Sequence, residues 1–414
     1  MKANSRIRYI DVWRLPHVPV TFGSAIVGRA AYALVILPLF FAVQGSTGSV
    51  AAAGLALGLY GLTAALLAPA RAHLIDNFGR RRVLLALSST FGLVLAALAL
   101  ASFADATVPV MVTLAALAGS LAPPIGPTMR VVWSELAREP GSFKKALSLD
   151  AVAEELLFLA GPAVAGLALA VITPSAALLV PAFLVIFGTT MFVSTPAVRT
   201  AAVPSRLEDE SPRERTPRGS LLRDRRFIGV LLPALVAGLI SGHYVIAIPA
   251  AFPGAQGAAA AGVALGLFAG GSAVGGLVFG TLGIRMNVHS QLLLAAVGLI
   301  LLSTSTALFS NGILICVTIA LAGLFFSPVM ILAYFEASNF GGEDKKTQAT
   351  TWVNTSHNLG GAAGSVAAGF LIQQSSVAAS YLTMAVACLL LVGSAALVST
   401  RSPTRLPQPT QTHT

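Results

Sequence analysis

The chain has 414 residues, of which 56% are hydrophobic and only 10% charged, and its mean hydropathy is +0.82. These values exclude a soluble globular domain and indicate an integral membrane protein. Apolar runs of about 20 residues, long enough to cross a hydrocarbon core of about 30 Å as helices, recur along the chain. We predict twelve such helices, at residues 20–43, 48–70, 83–104, 107–129, 147–171, 175–195, 227–250, 257–283, 289–309, 311–335, 348–373 and 378–399.

The basic residues fall on one predicted side of the membrane. The formal net charge is +10, yet all but one of the 26 lysines and arginines lie at the N-terminus, in the even-to-odd loops, at the C-terminus or at the adjoining helix ends, the exception being Arg29. This positive-inside pattern predicts that both termini are cytoplasmic and argues against a nucleic-acid partner. The N-terminal segment does not resemble a cleavable signal peptide, since polar and charged residues continue past residue 10. Arginine outnumbers lysine, and alanine and glycine abound, so we expect the cytoplasmic membrane of a bacterium.

No motif in the sequence predicts a cofactor or a metal. The two cysteines, Cys316 and Cys388, lie singly within predicted helices and lack the spacing of a metal or redox site. The sequence has no G-x-x-x-x-G-K-[ST] phosphate loop and no soluble domain to carry one. We therefore expect an ion gradient, most simply of protons, as the energy source.

Two halves of six helices flank a polar segment. Residues 196–226 are charged and rich in proline and serine, which predicts a cytoplasmic linker between an N-terminal bundle, residues 1–195, and a C-terminal bundle, residues 227–414. An internal repeat supports this division, because AAGLALGLYGL at 52–62 matches AAGVALGLFAG at 260–270. A second match aligns helix 5 with helix 11, pairing Gly161 with Gly364, Gly166 with Gly369 and Glu154 with His357. The predicted fold is an all-α membrane protein of two pseudo-symmetric bundles.

The loop between helices 2 and 3 carries a family resemblance. Its sequence AHLIDNFGRR resembles the signature G-x-x-x-D-R-x-G-R-R of the major facilitator superfamily. The fixed positions of that signature fall on Ala72, Asp76, Asn77, Gly79, Arg80 and Arg81. Ala72 and Asn77 depart from it. With twelve helices and a mid-chain linker, the chain is identified as a member of this superfamily.

The resemblance implies a conformational latch at this loop. In the family the aspartate, here Asp76, is expected near the N-terminus of helix 11, and the arginine, here Arg80, binds an acid at the end of helix 4. Glu135, in RVVWSELARE, is the candidate acid. A helix N-terminus stabilises an anion, and an arginine fork can hold a carboxylate in two places. The alternative is a purely topological anchor, which accounts well for Arg81.

Helix 5 contains a second stretch that resembles the superfamily. GPAVAG, with Gly161, Pro162 and Gly166, is similar to a glycine-proline signature of its proton-driven exporters, although small residues also serve ordinary close packing of helices. Helix 4 lacks the mid-membrane arginine expected in drug exporters. Its first basic residue, Arg130, comes only near the cytoplasmic end.

Ionisable residues within the predicted helices are candidate functional groups, because they are costly to insert in a membrane. Asp150 and Glu154 are four residues apart and share a helix face, so we expect mutual repulsion to favour protonation of one carboxylate. Glu154 is the leading proton carrier, with Asp150 or Glu155 as its modifier. The alternative is a permanent ion pair between Arg130 and Glu154.

Other polar residues in the helices are candidates for a substrate cavity. Arg29 could hold an anionic group of the substrate or pair with Glu154. Asn354, His357 and Asn358 form one polar stripe on helix 11. We expect His243 to be neutral and buried and Glu336 to belong to a charge network at the cytoplasmic side.

These features predict a monomeric secondary transporter in the lipid bilayer, working by alternating access. We favour proton-coupled export of a small, largely apolar compound, since alanine, leucine, glycine and phenylalanine dominate the expected cavity helices. One alternative is a proton-coupled importer of a sugar-like or organic-acid nutrient. Another is a non-transporting membrane receptor or assembly subunit on the same fold.

Overall fold

The protein is described by a computed structural model that covers residues 8–199, 221–252, 254–283, 285–340 and 345–400. Its regular structure within these ranges is helical, with the membrane helices labelled α1 to α12. Their bounds are α1 Val18–Thr47, α2 Val50–Leu66 with Ala68–Phe78, α3 Arg80–Phe103, α4 Val108–Leu121 with Ile125–Leu136, α5 Pro140–Leu169, α6 Leu179–Ser194, α7 Arg225–Ala251, α8 Gly254–Thr281, α9 Val288–Ser305, α10 Gly312–Ala337, α11 Lys346–Gln374 and α12 Val377–Thr400. The predicted all-helical fold is confirmed.

Each of the twelve predicted spans overlaps one of these helices. In the described chain, ten spans are long and apolar enough to cross a membrane, and the bent pair of α2 makes an eleventh. The remaining helix, α11, is 29 residues long but less apolar, because TWVNTSHN brings polar side chains into its first half. The predicted linker falls largely on residues 200–220, outside the described ranges.

Two helices, α2 and α4, are broken within the bundle. The two arms of α2 meet near Leu67 at an angle of 45°. The arms of α4 are separated by a gap that contains Pro123 and Pro124. Proline lacks a backbone N–H and cannot continue the hydrogen-bond ladder, so the sequence itself accounts for the break in α4.

The helices build two hydrophobic cores, one mainly from α1 to α6 and the other mainly from α7 to α12. Helix α2 packs against α11, and α5 packs against α8, so these two pairs join the halves. Repeat-related glycines make equivalent contacts in the two pairs. Gly166 of α5 lies against Gly262 of α8, just as Gly369 of α11 lies against Gly54 of α2.

The halves are joined near one side of the molecule. We call the side that carries Arg80–Arg82, Lys144, Lys145 and Arg225 the basic face. The contacts between halves lie toward the opposite face, where the Val50 N–H donates to Gln373 Oε1 at 2.9 Å. Toward the basic face, Arg130 and Glu154 remain 50% and 34% exposed. From this distribution of contacts and exposure we infer a cleft between the halves on the basic face.

Candidate functional site

Four charged side chains from α1, α4 and α5 form a closed cluster, which we call the charge quartet: Arg29, Arg130, Asp150 and Glu154. Arg29 Nη1 donates to Asp150 Oδ1 at 2.7 Å, and Arg130 Nε lies 3.4 Å from Asp150 Oδ2. Arg130 Nη2 donates to Glu154 Oε2 at 2.6 Å. Each carboxylate thus faces both arginines, and the quartet has a formal charge of zero.

The quartet is buried on one side and exposed on the other. The side chains of Arg29 and Asp150 are 4% and 1% exposed, whereas those of Glu154 and Arg130 are 34% and 50% exposed. Arg29 Nη2 lies 3.0 Å from Glu154 Oε2 but outside hydrogen-bonding geometry, so this buried donor keeps unused capacity. Helix α4 passes the guanidinium at Gly126, where an added Cβ would lie at an ordinary van der Waals distance of 3.6 Å from Arg29 Nε.

The quartet differs from the predicted carboxylate pair. Asp150 and Glu154 share a face of α5, as expected, and Arg130 pairs with Glu154, as in the alternative of an ion pair. However, two arginines bridge the carboxylates, so their repulsion is offset rather than left to favour protonation. Arg29 belongs to the quartet and not to the lining of the central cavity described next. Glu155 is exposed and turned about 100° from Glu154 around the helix, and no ion pair joins it to the quartet in the described chain.

A cavity of about 220 Å³ lies between the halves, bounded by α1, α2, α7 and α11. One wall is apolar, with Ile36 and Leu57, and the other carries His357 and Asn358 together with Ser241. His357 Nδ1 is buried and has no hydrogen-bond partner among the described residues. Asn354 does not line this cavity, because it lies about one turn nearer the basic face and is exposed.

The structure also locates the loop signature between α2 and α3. Arg80 holds Glu135 with both guanidinium nitrogens, Nη1 to Oε2 at 3.0 Å and Nη2 to Oε1 at 2.5 Å. Gly79 precedes α3 with φ +85°, a conformation that favours glycine. The pair lies wholly within the N-terminal half and does not itself join the two halves. Asp76 and Arg81 are exposed, and no hydrogen bond or ion pair to either is found in the described ranges.

The glycine-proline stretch of α5 is packed against neighbouring helices. Gly161 lies against Ala33 of α1 within the half, and Pro162 and Gly166 lie against α8 of the other half. A side chain at Gly166 would collide with the backbone of Ala258. The stretch therefore lets α5 approach both neighbours closely.

Two further polar groups lie away from both the quartet and the cavity. His243 is 1% exposed, and its Nε2 is 3.0 Å from Ser380 Oγ. Glu336 is held by His289, whose Nδ1 lies 3.0 Å from Glu336 Oε1 at the basic face. Both arrangements agree with the roles expected from sequence.

Sequence reasoning missed Arg71 as an intramembrane charge. It was counted with the loop arginines, yet it lies in the second arm of α2 and is 6% exposed. Tyr60, which lines the central cavity, was also missed. The double proline of α4 is the signal in the sequence that points to Arg71. Pro123 and Pro124 have no N–H to donate, so the carbonyls one turn before them need a donor from another part of the chain.

Comparison with known proteins places this arrangement in a family. Residues 20–338 and 234–414 match the family model described as Major Facilitator Superfamily. No match was found among curated protein sequences. Solved structures share the fold at low sequence identity. The nucleoside transporter NupG has a TM-score of 0.70 at 10% identity, covering 92% of this chain and 99% of that one.

Two other similar structures carry inward-facing descriptions. One is a bacterial homologue of the iron transporter ferroportin, in an inward-facing state, with a TM-score of 0.69, 15% identity and coverage of 93% and 100%. The other is a bacterial homologue of the human lysosomal transporter Spinster, inward-facing and occupied, with a TM-score of 0.67, 13% identity and coverage of 92% and 96%. Because the family model matches most of its length, the chain belongs to the Major Facilitator Superfamily. It is a multi-pass membrane transporter and not an enzyme.

Proposed function

We propose that the protein is a proton-coupled exporter of a small, largely apolar compound, working by alternating access. The observation that carries the proposal is the charge quartet, which joins three helices of the N-terminal half and opens to the cleft at Glu154. Such a cluster can take up a proton only by giving up an ion pair. Proton binding and helix position are therefore physically linked.

The state of the quartet fits a defined step of an exchange cycle. With the basic face cytoplasmic, as the positive-inside pattern indicates, the cleft opens toward the cytoplasm. All four ion-pair contacts are made in this open state, which corresponds to a transporter that has released its proton. In an exporter this is the state that accepts the compound from the cytoplasm. Protonation of Glu154 from the other side would then release Arg130.

The central cavity supports a small compound with a mainly apolar body and one polar edge. At about 220 Å³ it is closed on one wall by Ile36 and Leu57, which can cover apolar surface. His357 and Asn358 on the facing wall can orient a polar group. Since the wall residues come from both halves, a bound compound would contact both and respond to their relative movement.

Import of a polar nutrient is the second candidate. Ser241, His357 and Asn358 offer hydroxyl, imidazole and amide groups within one cavity, and the unpartnered His357 Nδ1 favours a ligand that hydrogen-bonds there. A sugar-like or organic-acid compound would satisfy these groups. The direction of transport separates this candidate from export.

A test with purified protein in vesicles separates these alternatives. An acidic pulse should drive proton movement and export of the transported compound by the wild type, and Glu154→Gln should abolish both while leaving compound binding intact. The compound is found with a panel tested for resistance or accumulation against a strain lacking the protein. Lower accumulation in cells that carry the protein supports export, and higher accumulation supports import.

A matched control tests whether the effect belongs to the quartet. Glu155→Gln makes the same chemical change one residue along α5, outside the quartet, and should leave proton coupling intact. If Glu154→Gln and Glu155→Gln behave alike, the quartet does not carry the proton. If neither proton movement nor compound transport occurs in the wild type, the proposed function is wrong.

A further inference from the structure

Arg71 is a buried cation whose described partners are all backbone carbonyls. It lies in the second arm of α2 and is 6% exposed. No carboxylate lies within ion-pair distance of it in the part of the chain that the structure describes. A charge in a membrane helix needs partners or a function, and the partners found here show what Arg71 does.

The first partners are two carbonyls of α4 that lose their usual α-helical donors at the double proline. In an α-helix the carbonyls of Gly119 and Ser120 would accept from the N–H groups of residues 123 and 124. Both of those residues are proline and have no N–H to donate. Arg71 Nη1 donates instead, at 2.8 Å to the Gly119 carbonyl and at 3.1 Å to the Ser120 carbonyl. The Gly119 carbonyl also accepts from the Ala122 N–H, at the longer distance of 3.4 Å. One guanidinium nitrogen thus contacts both carbonyls that lost their i+4 donors.

The other partner of Arg71 lies at the break of its own helix. Its Nη2 donates to the carbonyl of Ala64, near the end of the first arm of α2. Carbonyls at the end of a helix carry partial negative charge, so a guanidinium placed there is stabilised without a counter-ion. The breaks of α2 and α4 are therefore closed by the same side chain.

One neighbouring side chain adds to the closure of the α4 break. Tyr32 of α1 donates its hydroxyl to the Pro123 carbonyl at 2.5 Å. The Thr63 hydroxyl of α2 has a single proton to donate and lies 2.8 Å from the Leu59 carbonyl and 2.9 Å from the Ala116 carbonyl of α4. Tyr32 lies three residues after Arg29 on α1, so the helix that supplies one arginine of the quartet also contacts the break.

The second arm of α4 connects this break to the rest of the site. It begins at Ile125 and carries Arg130, a member of the charge quartet, and Glu135, which is held by Arg80. The direction in which this arm leaves the break decides where both groups meet their partners. We propose that Arg71 is a positioning residue that fixes the hinge of α4 and so sets Arg130 against the two carboxylates. In assigning this hinge to the transport cycle, the inference rests on the proposed function.

The hinge is tested by the distance between spin labels on the two arms of α4. The labels are placed by Val110→Cys and Ser134→Cys, at exposed positions, in protein with Cys316→Ala and Cys388→Ala. Arg71→Gln should shift and broaden the distance distribution. In a background with Pro123→Ala and Pro124→Ala the backbone donors are restored, and Arg71→Gln should then have little further effect.

Controls keep the test decisive. Arg82→Gln makes the same change at an exposed arginine of the adjacent loop and should leave the distance unchanged. If Arg71→Gln does not fold, Arg71→Lys keeps the charge but cannot reach three carbonyls, and should give a smaller shift of the same kind. An equal shift in both proline backgrounds, or none beyond that of Arg82→Gln, overturns the proposal.

A second measurement separates positioning from simple support of the fold. Proton uptake by the purified protein after a pH jump should have a displaced midpoint in Arg71→Gln and an unchanged one in Arg82→Gln. A shifted label distance with an undisplaced midpoint would show that Arg71 supports α4 without positioning the quartet. If the wild type takes up no proton, the proposed function fails, while the label distances still decide whether Arg71 fixes the hinge.

Discussion

Gly166 of α5 and Gly262 of α8 lie against each other across the two halves, so that a Cβ added to either would be 3.1 Å from the Cα of the other. The repeat-related pair, Gly369 of α11 and Gly54 of α2, is as close, with corresponding distances of 3.0 and 2.9 Å. The two halves are thus held together near the face opposite the basic one by two equivalent backbone contacts.

A larger side chain at either glycine contact should open the face opposite the basic one. Gly166→Val or Gly369→Val overpacks the seam by about 1–3 kcal/mol, which converts to about a 5- to 150-fold change in the balance between the two open states. Labelling of a cysteine at Asn354 from the basic face should fall accordingly. Gly393→Val is the control, since a Cβ there meets no atom within 4 Å. Unchanged labelling in both seam variants would show that the contacts do not hold the state.

Within the quartet, Asp150 should matter more for stability than Glu154. Asp150 is 1% exposed and faces two arginines, so Asp150→Asn leaves buried positive charge unbalanced at a cost of roughly 3–5 kcal/mol. Glu154 is 34% exposed and solvent screens its contacts, so Glu154→Gln should cost about 1 kcal/mol or less. Thermal unfolding in detergent measures the difference. Equal losses of stability in the two variants would mean that Asp150 is as exposed to solvent as Glu154.

The pair of Arg80 and Glu135 should behave as one unit. Because the contact is bidentate and partly buried, Arg80→Gln and Glu135→Gln should each weaken the basic-face end of the N-terminal half. The double variant should be no worse than the poorer single one, with a coupling of about 1 kcal/mol in thermal unfolding. Arg81→Gln, at an exposed neighbour, should be neutral. Strict additivity of the two variants would contradict the pairing.

The cavity assignment predicts different effects along one stripe of α11. His357→Ala and Asn358→Leu should raise the concentration needed for half-maximal transport of the identified compound, because both residues line the cavity. Asn354→Ala should not, since Asn354 lies outside the cavity and is exposed. Transport at several compound concentrations measures this. A larger effect at Asn354 than at His357 would move the binding site toward the basic face.

Eleven of the twelve helices could be predicted because a long apolar run is sufficient and the bilayer imposes that requirement locally. Helix α11 is less apolar, but it also overlaps a predicted span. The ion pair of Arg80 with Glu135 could also be predicted from sequence. The family signature identifies Arg80, and the length of α4 places Glu135 at the end of that helix. The internal repeat pairs Gly166 with Gly369 on sequence alone, and the two residues make equivalent contacts.

The members of the quartet and the role of Arg71 were harder to predict from sequence. Whether Arg29 pairs with Asp150 or lines the cavity depends on the rotation of α1 about its axis. The sequence does not indicate this rotation, because α1 is apolar and packs against apolar neighbours. Arg71 follows the first arm of α2 so closely that it resembles a loop residue. Its burial is explained by the backbone carbonyls that accept from it, those of Gly119 and Ser120 on another helix and that of Ala64 in its own.

The zero formal charge of the closed quartet has an electrical consequence. A proton bound there gives the protein one extra positive charge deep in the membrane, and moving that charge across a potential of 100 mV changes its free energy by about 2.3 kcal/mol. In the proposed cycle the voltage across the cell membrane, negative inside, therefore drives the loaded carrier inward together with the concentration difference of protons. An uncharged compound leaving in exchange would make every turnover electrogenic.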